Sequence, residues 1–379
     1  MLGSAPLVFN GKFLTNDLTG VHRVAFELIH ACGRLRDEGN GADAPMEIAV
    51  PSNAILPRWH AAQTLDRFRI MHGVSHGHTW EQLELPWRAR GKVLINLCNL
   101  APALKKKSIT MIHDAHVFNV PLSYSFRFRS FYRTTIPLIG RFHSHIVTVS
   151  RYSQAEIVKH KIAAPEKISV VHNGVDHMLR FKADYDILDK LDLRLRTYVV
   201  GLSSDQLHKN IGLLLRAFCD PRLRDVRCVL IGQDRRQEFM QAGFSVPENI
   251  VFSGPLSDDE LRGLLEAATA TVCPSTTEGF GLLPLEGMVL GCPAIVSRRG
   301  SLPEICGTAA VYVEPHDAEG WVAAIAHFCR HGDDREAYAQ RGRVQAGKFT
   351  WSLAARHLLD LCDRMTAAQR PPRGVLRGV

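Results

Sequence analysis

The sequence predicts a doubly wound α/β protein with two parallel sheets. Three observations carry that prediction. Short apolar runs rich in Val, Ile and Leu recur along most of the chain, as strands buried on both faces of a parallel sheet require. Stretches with apolar residues at helical spacing separate them, and strand, helix, strand in repetition is the signature of a wound α/β sheet. A chain of 379 residues is also long for one core, so two domains are expected.

The elements follow in order. Seven strands are read in the first half: APLVFN (5–10), MEIAVP (46–51), RFRIM (67–71), KVLINL (92–97), SITMIHD (108–114), HIVTVS (145–150) and KISVVHN (167–173). Six more are TYVVGL (197–202), VRCVLIG (226–232), NIVFSG (249–254), TATVCP (269–274), PAIVS (293–297) and AAVYVE (309–314). VHRVAFELIHACGRL and IGLLLRAFCD carry apolar residues at helical spacing. SDDELRGLLEAA opens with a cap residue and two acids, a helix-start pattern. The charged stretch 176–196, poor in strand signal, reads as the connection. The expected division is an N-terminal domain over 1–178, a linker over 179–196 and a second domain over 197–350. A C-terminal helix over 351–379 is expected to cross back to the first domain. Ligands of open α/β sheets bind beyond the carboxyl ends of the strands, so two facing domains enclose a cleft.

Composition narrows the function classes. No window approaches ~18 uncharged apolar residues, so no membrane-spanning helix is expected. The opening MLGSAPLVFNGKF has neither the basic region nor the apolar core of a secretory signal, so the chain is expected to stay in the cytosol. Nine scattered cysteines without a C-x-x-C pair read as reduced, buried thiols. The net charge of +8 is unevenly divided: residues 1–180 hold 22 Lys+Arg against 13 Asp+Glu, and the remainder is close to neutral. That asymmetry fits an acidic partner for the first half, or a merely solvated basic face.

Residues 275–297, STTEGFGLLPLEGMVLGCPAIVS, hold the densest chemistry. Thr277 to Gly281 turn the chain, and Pro284 suits a helix's first turn. Gly279 and Gly281 let backbone approach a ligand, and free N–H groups at a helix start favour an anion such as phosphate. Glu278 and Glu286 flank this cradle. Either is comfortable near a helix start for structural reasons alone, yet carboxylates also accept from vicinal hydroxyls. A phosphate cradle between two such acceptors matches a sugar nucleotide.

The unit S-x-x-E-G-F-G-x-x-x-x-E-x-x-x-x-G-x-P resembles the E-x7-E signature of the retaining family-4 glycosyltransferases, and the resemblance extends over most of the chain. FLTNDLTGVHRVAFELI, GHTWEQLELPWRAR, LINLCNLAPAL, TMIHDAHVF, VTVSRYSQAEI, VVHNGVDH and HKNIGLLLRAF all have counterparts there, most closely in the subgroup that builds bacterial surface polysaccharides and lipid-linked oligosaccharides. The resemblance implies the GT-B fold of two Rossmann-like domains. It also implies transfer of a hexose from a nucleoside diphosphate to an acceptor hydroxyl with retention, without metal or other cofactor. Mannose from GDP-mannose is the leading donor. A UDP- or dTDP-sugar, or an epimerase on the same architecture, is the alternative. By position, it implies that Lys209 contacts the diphosphate, Glu278 the sugar hydroxyls, His113 the sugar near the reacting carbon, and Glu286 the ribose. Gly20 would approach the diphosphate; Gly279, Phe280, Gly281 and Leu282 would offer backbone, and Leu256 would present backbone to the base. The basic residue usual after the first glycine of the second domain is replaced by Ser203 and Ser204, leaving His208 or Arg298 as substitutes.

Further along the first half, Lys105, Lys106 and Lys107 precede a strand, and Arg127, Arg129, Arg133 and Arg141 interleave with Phe126, Phe128, Phe131 and Tyr132. Cations among aromatics suit anionic lipid or the pyrophosphate of a polyprenol-linked acceptor. An amphipathic helix whose aromatics face the core fits the same pattern. The chain is thus expected at the cytoplasmic face of a membrane, with a glycan acceptor and no nucleic acid. The histidine pairs 76/78 and 143/145, the group His113, Asp114 and His116, and the Asp184–Asp186 triplet lack further ligands at metal-binding spacing, so no metal site is expected.

Overall fold

In a computed structural model of the chain, the described residues are 6–15, 19–39, 45–55, 65–194 and 197–368. The start of the chain that was read for a signal, residues 16–18 of the N-terminal loop, the last two linker residues and the tail from 369 onward lie outside them.

All thirteen expected strands form, each near its apolar run. The first sheet contains β1 (Leu7–Asn10), β2 (Met46–Val50), β3 (Arg69–His72), β4 (Val93–Asn96), β5 (Ser108–Met111), β6 (His145–Thr148) and β7 (Ile168–Val170) in the order 3-2-1-4-5-6-7. The second contains β8 (Thr197–Leu202), β9 (Val226–Ile231), β10 (Ile250–Phe252), β11 (Ala270–Cys273), β12 (Ala294–Ser297) and β13 (Ala310–Val313) in the order 10-9-8-11-12-13. Every pairing within the two sheets is parallel. The strand order therefore reverses between β1 and β4 in one sheet and between β8 and β11 in the other. Ligands of such sheets sit outside the carboxyl ends of the strands at those two reversals.

Helices cover both faces. They include α1 (Gly20–Asp37), α2 (Phe126–Phe142), α3 (Arg151–Lys159), α4 (Ile211–Ala217), α5 (Asp258–Glu266), α6 (Leu282–Leu290) and α7 (Trp351–Ala368), of which α1, α2 and α6 contribute residues to the cleft. The expected capping at α5 is present as a reciprocal pair: Ser257 Oγ accepts from Glu260 N, and Glu260 accepts from Ser257 N. Helix α7 packs against α1, with Ala354, Ala355, Leu358 and Cys362 in one core with Val24, Leu28 and Cys32. All nine cysteines are free thiols.

The connecting stretch is more than a charged link between the sheets. Among its described residues it forms no strand, but Met178, Phe181, Ile187, Leu188 and Leu193 are buried with Tyr198, Leu264 and Leu265 in a core of the second sheet. Arg262 caps the stretch by donating to the carbonyls of Leu179 at 3.2 Å and Phe181 at 2.6 Å. The charged residues that suggested solvent lie on one side only; the apolar residues between them face inward. The Asp184–Asp186 triplet forms a local turn in which Asp184 accepts from Asp186 N at 3.0 Å.

Candidate active site

A cleft of about 490 Å³ lies between the two sheets, and eight of the ten expected donor-side residues line it. They are Gly20, His113, Lys209, Glu278, Gly279, Phe280, Gly281 and Leu282. Each arrives from the carboxyl end of a strand: Lys209 after β8, Glu278 and the glycines after β11, and His113 after β5.

The centre of the second-domain wall is an ion pair. Lys209 Nζ stands 2.8 and 3.0 Å from the two Glu278 oxygens, and Ser275 Oγ donates to Oε1 at 2.7 Å. Glu278 is 7% exposed. Burial alone would raise its pKa, but the Lys209 charge and these bonds lower it to about 2. Lys209, opposed by the same burial, is held above its ordinary pKa by Glu278. The pair is charged across the ordinary pH range.

The turn after Glu278 is shaped by close approach. A Cβ on Gly279 would lie 2.8 Å from the His113 carbonyl oxygen and 3.1 Å from Asp114 Cβ. Gly281 has φ +97°, a left-handed conformation suited to glycine, and serves as the N-cap of α6. Ser150 Oγ at 2.7 Å and Ser153 Oγ at 3.2 Å both donate to Gly279 O, tying the turn to the first domain. A Cβ on Gly20 would stand 3.8 Å from Leu282 Cδ1, so the starts of α1 and α6 face one another with their N–H ends toward the cleft. Both helix starts favour an anion there.

His113 Nε2 contacts the Leu97 carbonyl at 2.8 Å. A carbonyl only accepts, so Nε2 carries the proton and Nδ1 the lone pair. Burial lowers the His113 pKa, so the ring is neutral. Asn99 Oδ1 accepts from His113 N at 2.8 Å, fixing the loop.

Two expected donor residues lie outside the lining. Glu286, 9% exposed on α6, has Oε1 3.3 Å from His177 Nε2, and His177 Nδ1 accepts from Trp351 Nε1 at 3.1 Å. The start of α7 thus orients a carboxylate one turn into α6. Leu256 follows β10 and packs into the second-sheet core. Neither substitute for the missing cation fits the cleft. His208 lines it, but burial, aided by His116 and Lys209, lowers its pKa to about 4. Arg298 lies over the Tyr312 ring at 4.8 Å. Among the described lining residues, Lys209 is the sole lysine or arginine.

Sequence reasoning missed part of the opposite wall. Tyr124, Phe128 and Tyr132 line the cleft as a stack, with ring centroids 5.3 and 4.1 Å apart. The aromatics of α2 therefore divide: Phe128 and Tyr132 line the cleft, while Phe126, 71% exposed, faces solvent and Phe131 packs beside His78, rather than all facing lipid or all facing the core. Their i, i+4 spacing was the available signal. Asn173 also lines the cleft, and its buried Oδ1 has no hydrogen-bond partner among the described residues. Lys105, Lys106, Lys107, Arg127, Arg129 and Arg133 do not line it. Lys105 Nζ bonds the Ala89 carbonyl at 3.0 Å and Lys107 Nζ that of Gly91 at 3.4 Å. Arg129 and Arg133 lie over Phe126 and Phe118. Among the described residues, no group of three His, Cys, Asp or Glu is placed to hold a metal ion.

Comparison with known proteins bears on the two sheets that carry this cleft. The Glycosyltransferase Family 4 model matches residues 47–178, and the model for Glycosyl transferases group 1 matches 195–345. The O-antigen chain mannosyltransferase RfbU of Salmonella typhimurium is 28% identical over 237 residues, 62% of this chain and 64% of that protein. The O-antigen chain mannosyltransferase B of Escherichia coli is 26% identical over 270 residues, 66% and 68% of the two chains. The chain matches between about half and two thirds of the length of four such curated relatives. Among solved structures, sucrose-phosphate synthase from Thermosynechococcus elongatus superposes with a TM-score of 0.73 at 16% identity, covering 96% of this chain and all of that one. Anabaena HepE in complex with UDP-glucose superposes at 0.67 and 17% identity, covering 96% and 98%. Two family models in tandem, each on its own parallel sheet, leave one conclusion: the chain belongs to the GT-B glycosyltransferases that join a Family 4 domain to a group 1 domain.

Proposed function

We propose that the chain transfers a hexose from a nucleoside diphosphate to a hydroxyl of a glycan acceptor with retention of anomeric configuration. The best-supported donor is GDP-mannose, and the acceptor is a polyprenyl-diphosphate glycan of bacterial surface polysaccharide synthesis. The observation that carries this reading is the buried Lys209–Glu278 pair beside the start of α6. It supplies a cation and free N–H groups for a leaving diphosphate, with a carboxylate for sugar hydroxyls, in one cleft.

In this reading Lys209 and the N–H groups of Gly281 and Leu282 take up the charge that develops on the diphosphate as the C1–O bond breaks. The acceptor oxygen bonds C1 on the same face, and its proton passes to the departing phosphate oxygen. Glu278 holds and orients the sugar, neutral His113 contacts it near C1, and Glu286, aligned by His177, receives the ribose. Leu256 backbone borders the base. No metal is assigned a part.

Mannose rests on the relatives named mannosyltransferases. A UDP-hexose is the second reading, because the HepE neighbour was crystallised with UDP-glucose. Thermal shift with GDP-, UDP- and dTDP-sugars separates them. GDP-mannose is expected to raise the melting temperature most; stabilisation by a UDP-sugar alone would overturn the donor assignment.

The proposal also seats the chain on an anionic membrane. Among the described residues no helix is long and apolar enough to cross one. The first domain instead exposes Trp87 at 70%, Leu104 at 73% and Phe126 at 71%, near Lys106 and Arg127. Gln82 bonds the 101–103 loop, and His78 contacts the Phe131 ring at 5.1 Å, so these segments adjoin. Apolar side chains among cations suit an interface with anionic lipid. Sedimentation with phosphatidylglycerol vesicles should fall several-fold in a Trp87→Ser, Phe126→Ser variant; unchanged sedimentation would overturn this placement.

A further inference from the structure

The cleft occupies the strand-order reversal of the second sheet. The first sheet has its own reversal, between β1 and β4, and a separate cavity of about 200 Å³ sits there. That is room for roughly half a dozen waters at ~30 Å³ each, on the scale of a single sugar ring. Asn10 and Lys12 follow β1, Leu97 and Cys98 follow β4, and Tyr132 lines both this cavity and the cleft.

The polar equipment of the cavity exceeds what packing needs. Glu81, 1% exposed, pairs with Lys12 Nζ at 2.6 Å through Oε2. Its second oxygen accepts no hydrogen bond from a described residue, and the ammonium has two further N–H groups. A buried ion pair is weak as a stabilising device, because desolvating both charges offsets their attraction. Glu81 is delivered, moreover, by a π-helical turn, Trp80–Glu84. Such turns are rare and concentrate at functional sites. Asn10 is held in place by Asn96, which accepts from it at 2.9 Å.

We propose that this cavity is the acceptor subsite and receives one pyranose ring of the acceptor glycan. Glu81 accepts from one ring hydroxyl, Lys12 donates to its neighbour, and Tyr132 packs beside the ring where cavity and cleft meet. A carboxylate next to an ammonium presents an acceptor and a donor side by side, as a vicinal diol does. The inference rests on the transferase reading above and adds which residues select the acceptor.

Saturation-transfer NMR with the methyl α-pyranosides of mannose, glucose and galactose, run with saturating GDP or UDP, tests it. At least one pyranoside should give a signal that survives the nucleotide. That signal should drop at least fivefold in Lys12→Met, Glu81→Gln, a double change that removes both charges together. Tyr132→Leu provides the same test without touching the ion pair, should the double variant not fold. Nucleotide binding without any pyranoside signal, or a signal unchanged in the variants, would overturn this inference and leave the transferase reading standing. A wild-type protein that binds no nucleotide at all would overturn both.

Discussion

The two walls of the cleft are built by different means. On the second-domain wall, Glu278 is already bonded by Lys209 and Ser275, and Gly279 is fixed by two serine hydroxyls from the other domain. Its working groups are backbone N–H, one carboxylate and one ammonium, set before any ligand arrives. The first-domain wall presents side-chain surface: a stack of Tyr124, Phe128 and Tyr132, with the Lys12–Glu81 pair behind it. Preset backbone suits a moiety shared by many substrates, such as a diphosphate. Side-chain surface suits the part that varies, the acceptor. With the donor and acceptor placed as proposed above, the contrast makes donor chemistry and acceptor choice separable.

The sharpest way to break that contrast is Glu278→Gln. Transfer should fall on the order of 10³-fold, because the sugar loses the carboxylate that orients it and Lys209 the partner that positions it for the leaving diphosphate, with little change in acceptor binding. The same variant carries a pH signature. The Glu278 pKa is depressed in the folded chain, so its stabilising contribution is present above its ordinary value of 4.5 and lost as pH falls toward about 2. Acid titration of the melting temperature should show that component in the wild type and not in Glu278→Gln.

Next in size is Gly279→Ala. The added carbon meets the His113 carbonyl at 2.8 Å, so the turn or the first-domain loop must shift. A loss of about 10²-fold in turnover is expected, as 1 Å misplacements produce. Turnover near the wild-type rate would show that the wall is less rigid than described.

Trp351→Phe removes the bond to His177 Nδ1. A buried acceptor left unpaired costs about 1–3 kcal/mol, visible in chemical denaturation. Loosened orientation of Glu286 should raise KM for the sugar nucleotide several-fold with kcat little changed. The smallest effect is expected at Glu304, whose carboxylate takes Arg151 N at 2.9 Å and Tyr152 N at 3.2 Å at the start of α3, with His172 at 2.8 Å. Glu304→Ala should loosen the contact between the domains and change KM and kcat by a few-fold at most, measured by steady-state kinetics.

How much of this was legible follows the same division. The strands were readable because buried parallel strands are continuous apolar runs, and the E-x7-E turn because glycine spacing and carboxylates are local in sequence. The buried connection was not, since Ile187 and Leu188 are hidden among charges whose other face meets solvent. Nor was the Lys12–Glu81 pair, whose partners are 69 positions apart and meet only when β1 and β4 become neighbours. The i, i+4 spacing put Phe128 and Tyr132 on one face of α2, but that this face meets the cleft depended on where the second domain lies. Arg298 offered charge but not position; its stacking on Tyr312 takes it from the cleft.

The central claim is that this cleft breaks a sugar–diphosphate bond and forms the new bond on the same face. Proton NMR of the anomeric signal during turnover of GDP-mannose, with water or a methyl pyranoside as acceptor, tests it most directly. The account predicts that the first-formed product keeps the α configuration of the donor and that Lys209→Met and Glu278→Gln abolish its appearance. A β product formed first, or no turnover of any GDP-, UDP- or dTDP-sugar, would contradict it.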